Sequence, residues 1–133
     1  SMCQDAERDG PRWADADDVR CTRFGAFLRR TRLDELPQIW NILKGDMSFV
    51  GPRPERPQFV TDLEGQLPYY AERHMVKPGI TGWAQINYGY AGTVKETAIK
   101  LEYDLYYIEH RSLLMDISII LRTIGTVLGF KGQ

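Results

Sequence analysis

The sequence predicts a single, compact, mainly helical α/β domain with amphipathic helices and small extended elements. Apolar residues recur at helical spacing near both ends of the chain, in stretches with charged opposite faces. Between them lie segments so rich in proline and glycine that only short extended pieces and turns fit. The 133 residues, 43% hydrophobic and 26% charged, are the size of one domain able to bury a core without staples.

Taken in order, residues 1–19 are polar and acidic, with no apolar periodicity, and read as a loosely ordered N-terminal segment whose leading Ser1-Met2 is a cloning remnant. The domain proper is expected over 20–133. "RCTRFGAFLRRT" spaces Phe24, Phe27 and Leu28 as a short basic amphipathic helix. Leu36, Ile39, Trp40 and Leu43 then fall at i, i+3, i+4 and i+7, and Gly45 supplies a stop. Asp46 reads as a turn residue after that stop.

Residues 46–58, "DMSFVGPRPERPQ", hold three prolines and a glycine and favour a rigid extended or turn segment. One or two short helices are expected around Gly65 and Pro68, then a turn-rich loop, "KPGITGWAQINYGYAG", with one short strand. A long helix capped by Thr93 carries Ile99, Leu101, Leu105, Tyr106 and Ile108. "LLMDISIILRTIGTVLGF" follows as a core or interfacial helix. Asp116 and Arg122 interrupt it, and its apolar length falls short of the roughly 20 residues a spanning helix needs.

A net charge of −1 excludes a global pull toward nucleic acid or anionic lipid, so any basic site is local. Cys3 and Cys21 are too few for a disulfide framework, and neither has zinc-ligand spacing, which fits a reducing compartment. His74 and His110 show no partner pattern for catalysis and read as structural. Trp83 reads as core, and Tyr103, Tyr106 and Tyr107 as an amphipathic cluster for packing or a membrane interface.

The chemistry concentrates in "LDELPQIWN". Proline is tolerated in a first helical turn, so Pro37 dates the helix start to about Asp34. Asp34 and Glu35 can then serve simply as capping acids, satisfying free N–H groups and meeting the positive end of the dipole. The same helix end suits a phosphate, and one carboxylate could attack phosphorus while its neighbour holds a divalent cation.

"RRTRLDELPQIWNILKGDMSFVGPRPERP", "VKPGITGWAQIN" and "YDLYYIEHRSLLMDISIILRT" together closely resemble the bacterial sugar transferase family, the monotopic phosphoglycosyl transferases, and look most like its exopolysaccharide-biosynthesis branch. The resemblance implies transfer of a sugar 1-phosphate from a UDP-sugar to a polyprenol phosphate such as undecaprenyl phosphate, through a phosphosugar bound to an aspartate, with Mg2+. It makes Asp34 the nucleophile and Glu35 the metal ligand. It sets Pro52, Arg53 and Pro54 of "GPRP" against the nucleotide and Arg29 near the reacting phosphates, while Arg30 and Arg32 fit a solvated basic face. Two prolines would hold Arg53 in a fixed pose for a phosphate or a base. Lys77 is a candidate for phosphate, although turn geometry explains its surroundings equally. Asp116 matches a family aspartate, with a salt bridge to an arginine as the structural alternative.

The family's N-terminal re-entrant membrane helix and a following basic segment are missing from this sequence. The expectation is a soluble fragment, weakly active or inactive, of a parent at the cytoplasmic face of the bacterial inner membrane, touching that surface through the missing helix and its own amphipathic helices. No nucleic-acid partner is expected, and homo-oligomerisation is left open. "NYGYAG" stands where some relatives have "NGRN", so the sugar is not assigned. Two rival readings are an idle membrane-docking module, which would not need the acid pair, and a Mg2+-dependent phosphohydrolase using water as acceptor.

Overall fold

Two short parallel strands hold the two proline- and glycine-rich motifs together, and helices enclose them. The computed structural model describes Thr22, Gly25 and residues 37–89 and 92–128. Its elements are α1 (Gln38–Lys44), β1 (Ser48–Val50), α2 (Pro57–Gln66), a 3-10 helix (Tyr70–Met75), β2 (Gly79–Thr81), α3 (Trp83–Tyr88), α4 (Val94–His110) and α5 (Leu113–Leu128). The mainly helical α/β expectation holds. The N-terminal segment and, apart from Thr22 and Gly25, the basic helix after Arg20 fall outside the described residues.

The described part of α1 opens at Pro37, whose φ of −60° and ψ of −22° are already helical, and the expected start near Asp34 lies outside the described residues. The pyrrolidine ring presets the helical φ, as expected of a proline in a first helical turn. At the other end Gly45 adopts φ 85°, which lets Gly45 and Asp46 donate to the carbonyls of Ile42 and Asn41, both at 2.9 Å. This is the stop the sequence indicates, with Asp46 in the turn. The apolar row of α1 points outward: Trp40 is 61% and Leu43 74% exposed.

β1 lies inside the segment expected to be extended, and β2 inside "KPGIT". Ser48 pairs with Gly79 and Val50 with Thr81. Parallel neighbours need a crossover, here α2 and the 3-10 helix. The pairing continues past the strand ends: Gly51 donates to Thr81 and Gly79 to Pro52, each at 2.9 Å. The two backbones approach so closely that a Cβ at Gly51 would meet the Lys77 carbonyl, and one at Gly79 would meet the Gly51 nitrogen. "GPRP" and "KPGITG" are therefore one interlocked unit.

α4 is the spine. Its Leu101 packs with Leu63 and Tyr70 on one side, while Tyr107 packs with Val50 and Ile119 on the other. Its N-terminus is fixed by a full capping box between Thr93 and Glu96, as the sequence suggests for Thr93. α5 buries Ile119, and Thr123 shares a 2.7 Å hydroxyl contact with Thr81 of β2. Its other side exposes Leu113, Leu114, Ile117, Leu121 and Ile124. Among the described residues no helix is long and apolar enough to cross a membrane.

Gly51→Ala should destabilise by about 1–3 kcal/mol in urea unfolding, because backbone rather than a flexible side chain must yield. Gly65→Ala, in open space within α2, should instead stabilise by about 0.5–1 kcal/mol. A second expectation concerns pH. Bonds from the Gly92 backbone, then from Thr93, hold the Glu96 carboxyl below its ordinary value of 4.5. The ionised form is thus the one the fold favours. The cap is complete above about pH 4.5 and weakens as pH falls through the lowered value, whereas Glu96→Gln should flatten that change. Amide hydrogen exchange at Gly92 and Thr93 across pH 3–6 reads it directly.

Candidate functional site

The "GPRP" segment leaves β1 with Gly51 and Pro52 buried and the Arg53 and Pro54 side chains exposed. Three anchors fix it. Gly51 and Pro52 are hydrogen-bonded into the strand seam. The Arg53 carbonyl accepts from Arg73 Nη2 at 2.8 Å. Two residues on, Glu55 Oε1 accepts from Lys100 Nζ at 3.0 Å.

Arg73, in the 3-10 helix, is only 4% exposed. Nη2 also donates to Asp104 Oδ2 at 2.9 Å, and Nη1 to the Tyr70 hydroxyl at 2.6 Å. Burial pushes the Asp104 carboxyl above its ordinary range, with the charges of Arg73 and Lys100 pulling the other way. Burial likewise raises the Tyr70 phenol. The cluster is a positioning device: it fixes the backbone from which the Arg53 side chain projects.

Sequence reasoning overlooked Arg73, Asp104, Lys100 and Glu55. One local signal was available. Thr97, Lys100, Leu101 and Asp104 lie on one helical face, and the neighbouring Leu101 and Leu105 mark that face as inward, so an acid and a base there had to be paired.

Lys77 and Asp116, two of the sequence candidates, come together in one cavity of about 490 Å³, with Ser48, Val50, Tyr107, Arg111 and Ser112 also in its walls. The salt bridge that stood as the structural alternative for Asp116 does not form among the described residues; instead Tyr107 Oη donates to Asp116 Oδ1 at 2.8 Å. Asp116 is half-buried, so water can serve the lone pairs that Tyr107, reaching across from α4, does not take. Burial, then the Asp116 bond and charge, drive the Tyr107 phenol strongly upward, so it stays protonated and donating.

Arg53 is not among the residues lining this cavity, although the backbone seam joins its segment to that of Lys77. Arg29, Asp34 and Glu35 lie outside the described residues. Among the described residues no group of three or more His, Cys, Asp or Glu could hold a metal ion. His74 is exposed 3.7 Å from Glu64, and His110 stacks on Tyr106 with ring centroids 4.2 Å apart, in keeping with structural roles. Trp83 is half-buried, stacked on Tyr106 at 6.0 Å with the Arg122 guanidinium 5.6 Å from its ring centre.

A mainly helical fold around an interlocked proline–glycine seam, with a cavity holding Lys77 and Asp116, is the frame on which the comparisons with known proteins fall. The family model for bacterial sugar transferases matches residues 1–130, and the chain belongs to that family. It is 50% identical over 134 residues to a protein of Aeromonas hydrophila named UDP-N-acetylgalactosamine-undecaprenyl-phosphate N-acetylgalactosaminephosphotransferase, covering 100% of this chain and 32% of that protein. It is 53% identical over 121 residues to a UDP-glucose:undecaprenyl-phosphate glucose-1-phosphate transferase of Xanthomonas campestris pv. campestris, covering 89% of this chain and 25% of that one. A protein of the same name from Escherichia coli K12 is 47% identical over 122 residues, covering 90% and 25%. The chain thus spans a third or less of the length of these relatives.

Asp104→Ala, which leaves the Arg73 charge buried and unpaired, should cost about 3–5 kcal/mol in urea unfolding. The double variant Arg73→Met/Asp104→Leu should recover much of that loss, because the buried charge pair is then removed whole rather than broken.

Proposed function

We propose that the protein moves a sugar 1-phosphate from a UDP-sugar to a polyprenol phosphate such as undecaprenyl phosphate, the first step of an exopolysaccharide or related glycan. The observation that carries this reading is the anchoring of the Arg53 segment. A glycine seam and the buried Arg73 fix its backbone while the Arg53 side chain stays exposed next to the Lys77 segment. A guanidinium carried on a fixed backbone suits a pyrophosphate, whose charge shifts but does not vanish during transfer. The names of the relatives describe donors and an acceptor of this kind.

In this mechanism an Asp34 carboxylate oxygen bonds to the sugar-bearing phosphorus as the bond to the UMP oxygen breaks, and the electron pair leaves with UMP. A phosphate oxygen of the polyprenol phosphate then bonds to the same phosphorus, and Asp34 departs as a free carboxylate. Arg29 and Arg53 neutralise the donor's phosphates, with Pro52 and Pro54 holding Arg53 in place. Lys77 and Asp116 shape the neighbouring cavity. Mg2+ would be held by Glu35 with phosphate oxygens of the substrate, and when bound it supplies countercharge to the leaving group. The reaction belongs at the cytoplasmic face of the membrane, against which the exposed apolar side of α5 rests.

In membranes containing the full-length parent and a UDP-sugar labelled at the β-phosphate, label should become covalently attached to the wild-type protein. Asp34→Asn should abolish this capture, and Glu35→Gln should mainly weaken Mg2+-dependent turnover. Capture by the Asn variant removes Asp34 from the nucleophile's role, and fast sugar-phosphate release without polyprenol phosphate would favour a phosphohydrolase instead.

A further inference from the structure

We propose that the cavity containing Lys77 and Asp116 is the acceptor subsite: Lys77 and Arg111 take the phosphate of the polyprenol phosphate, and Met75 and Leu113 take the start of its hydrocarbon chain. The assignment rests on the transferase reading above and divides the two substrates between two places. The anchored Arg53 serves the nucleotide, and its side chain is not part of the cavity wall.

The cavity has the two chemical faces that an amphiphilic phosphate requires. Lys77 precedes β2 and Arg111 joins α4 to α5, so two basic residues line it from separate parts of the fold. Among the described residues neither is engaged in an ion pair. Arg111 lines the cavity together with Tyr107, near enough for its charge to act on the phenol. Ser112 caps the start of the sixteen-residue α5, accepting from the Met115 nitrogen at 3.2 Å, and the positive end of that helix opens on the same space.

The apolar face is equally defined. Met75 and Leu113 line the cavity yet are 73% and 76% exposed, a placement that costs hydration in the empty protein and suits a hydrocarbon contact. Leu114 and Ile117 extend the apolar surface along α5 away from the cavity. Methionine, unbranched and polarisable, adapts to an irregular isoprenoid chain. The volume, about 490 Å³, exceeds what a phosphate alone would fill and is of the size that holds a small organic ligand.

Asp116 decides between a lipid phosphate and a free one. Its carboxylate, kept in place by Tyr107, cancels part of the cationic field, so an anion without a tail gains little there. Affinity must come from the charge pair and the apolar rim together.

The test is calorimetric binding to the full chain of farnesyl phosphate, kept below its aggregation limit, beside inorganic phosphate, farnesol and a UDP-sugar. Farnesyl phosphate should bind about tenfold or more tighter than either inorganic phosphate or farnesol. Arg111→Gln and Leu113→Ser, both at exposed positions, should each weaken it by about fivefold or more and leave UDP-sugar affinity within about twofold. Equal binding of farnesyl phosphate and inorganic phosphate would reduce the cavity to a free-phosphate site. No farnesyl phosphate binding, indifference to both substitutions, or a parallel loss of UDP-sugar binding would also overturn the assignment. The two readings fail separately: absent label capture with farnesyl phosphate binding intact counts against the transferase reading, whereas intact capture with Arg111-independent binding counts against the subsite.

Discussion

Arg73 places a full positive charge where water does not reach, and much of the described structure is arranged around that fact. An unpaired buried guanidinium would cost several kcal/mol. Asp104 balances its charge, and the Tyr70 hydroxyl and the Arg53 carbonyl take up further N–H groups. Each partner belongs to a different part of the chain. The 3-10 helix, α4 and the segment after β1 must therefore sit in one arrangement for the guanidinium to be satisfied. Such a node contributes less to net stability than to uniqueness, because alternative packings would leave a charge without partners.

The glycine seam acts on the same segment from its other end. Two three-residue strands are too short to stand alone, and they persist because Val50 is packed against Tyr107 and Ile119, while Thr81 is tied to Thr123. With Gly51 and Gly79 backbone against backbone, the strands leave no room for relative sliding. The consequence is functional rather than merely architectural. On the proposed reading of Arg53, an arginine whose backbone is pinned at Gly51, Arg53 and Glu55 would have only its side chain left to order on binding a phosphate.

What the sequence disclosed divides along the range of the interactions. The stop of α1 at Gly45 and the start of α4 at Thr93 are settled within four residues by backbone chemistry, and both were legible. The parallel pairing of β1 with β2 was not, since three residues carry no periodicity and the partners meet only after a crossover. Arg73 and Asp104 are 31 residues apart, and neither position advertises the other. Lys77 and Asp116 were singled out separately, yet only the tertiary fold puts them in one cavity and shows Tyr107 as the partner of Asp116. Roles for Arg29, Asp34 and Glu35 rest on motif resemblance, because the residues themselves lie outside the described structure.

Helix α5 joins the chemistry of the cavity to the surface of the molecule. Its inner side is fixed by Ile119 and Thr123, so its outer side has a defined orientation and not merely an apolar composition. Leu113 begins that outer row at the cavity itself, and Ile117, Leu121 and Ile124 continue it. Asp116 sits between the two sides, half-buried and bonded to Tyr107, which in turn lies 3.5 Å from the Val50 carbonyl at the end of β1. A hydrocarbon lying along the outer row would thus end, at the helix N-terminus, beside a lysine, an arginine and the strand that leads into "GPRP". On the proposed assignment, geometry of that kind would let the acceptor remain anchored by its tail while only its phosphate enters the polar part of the fold.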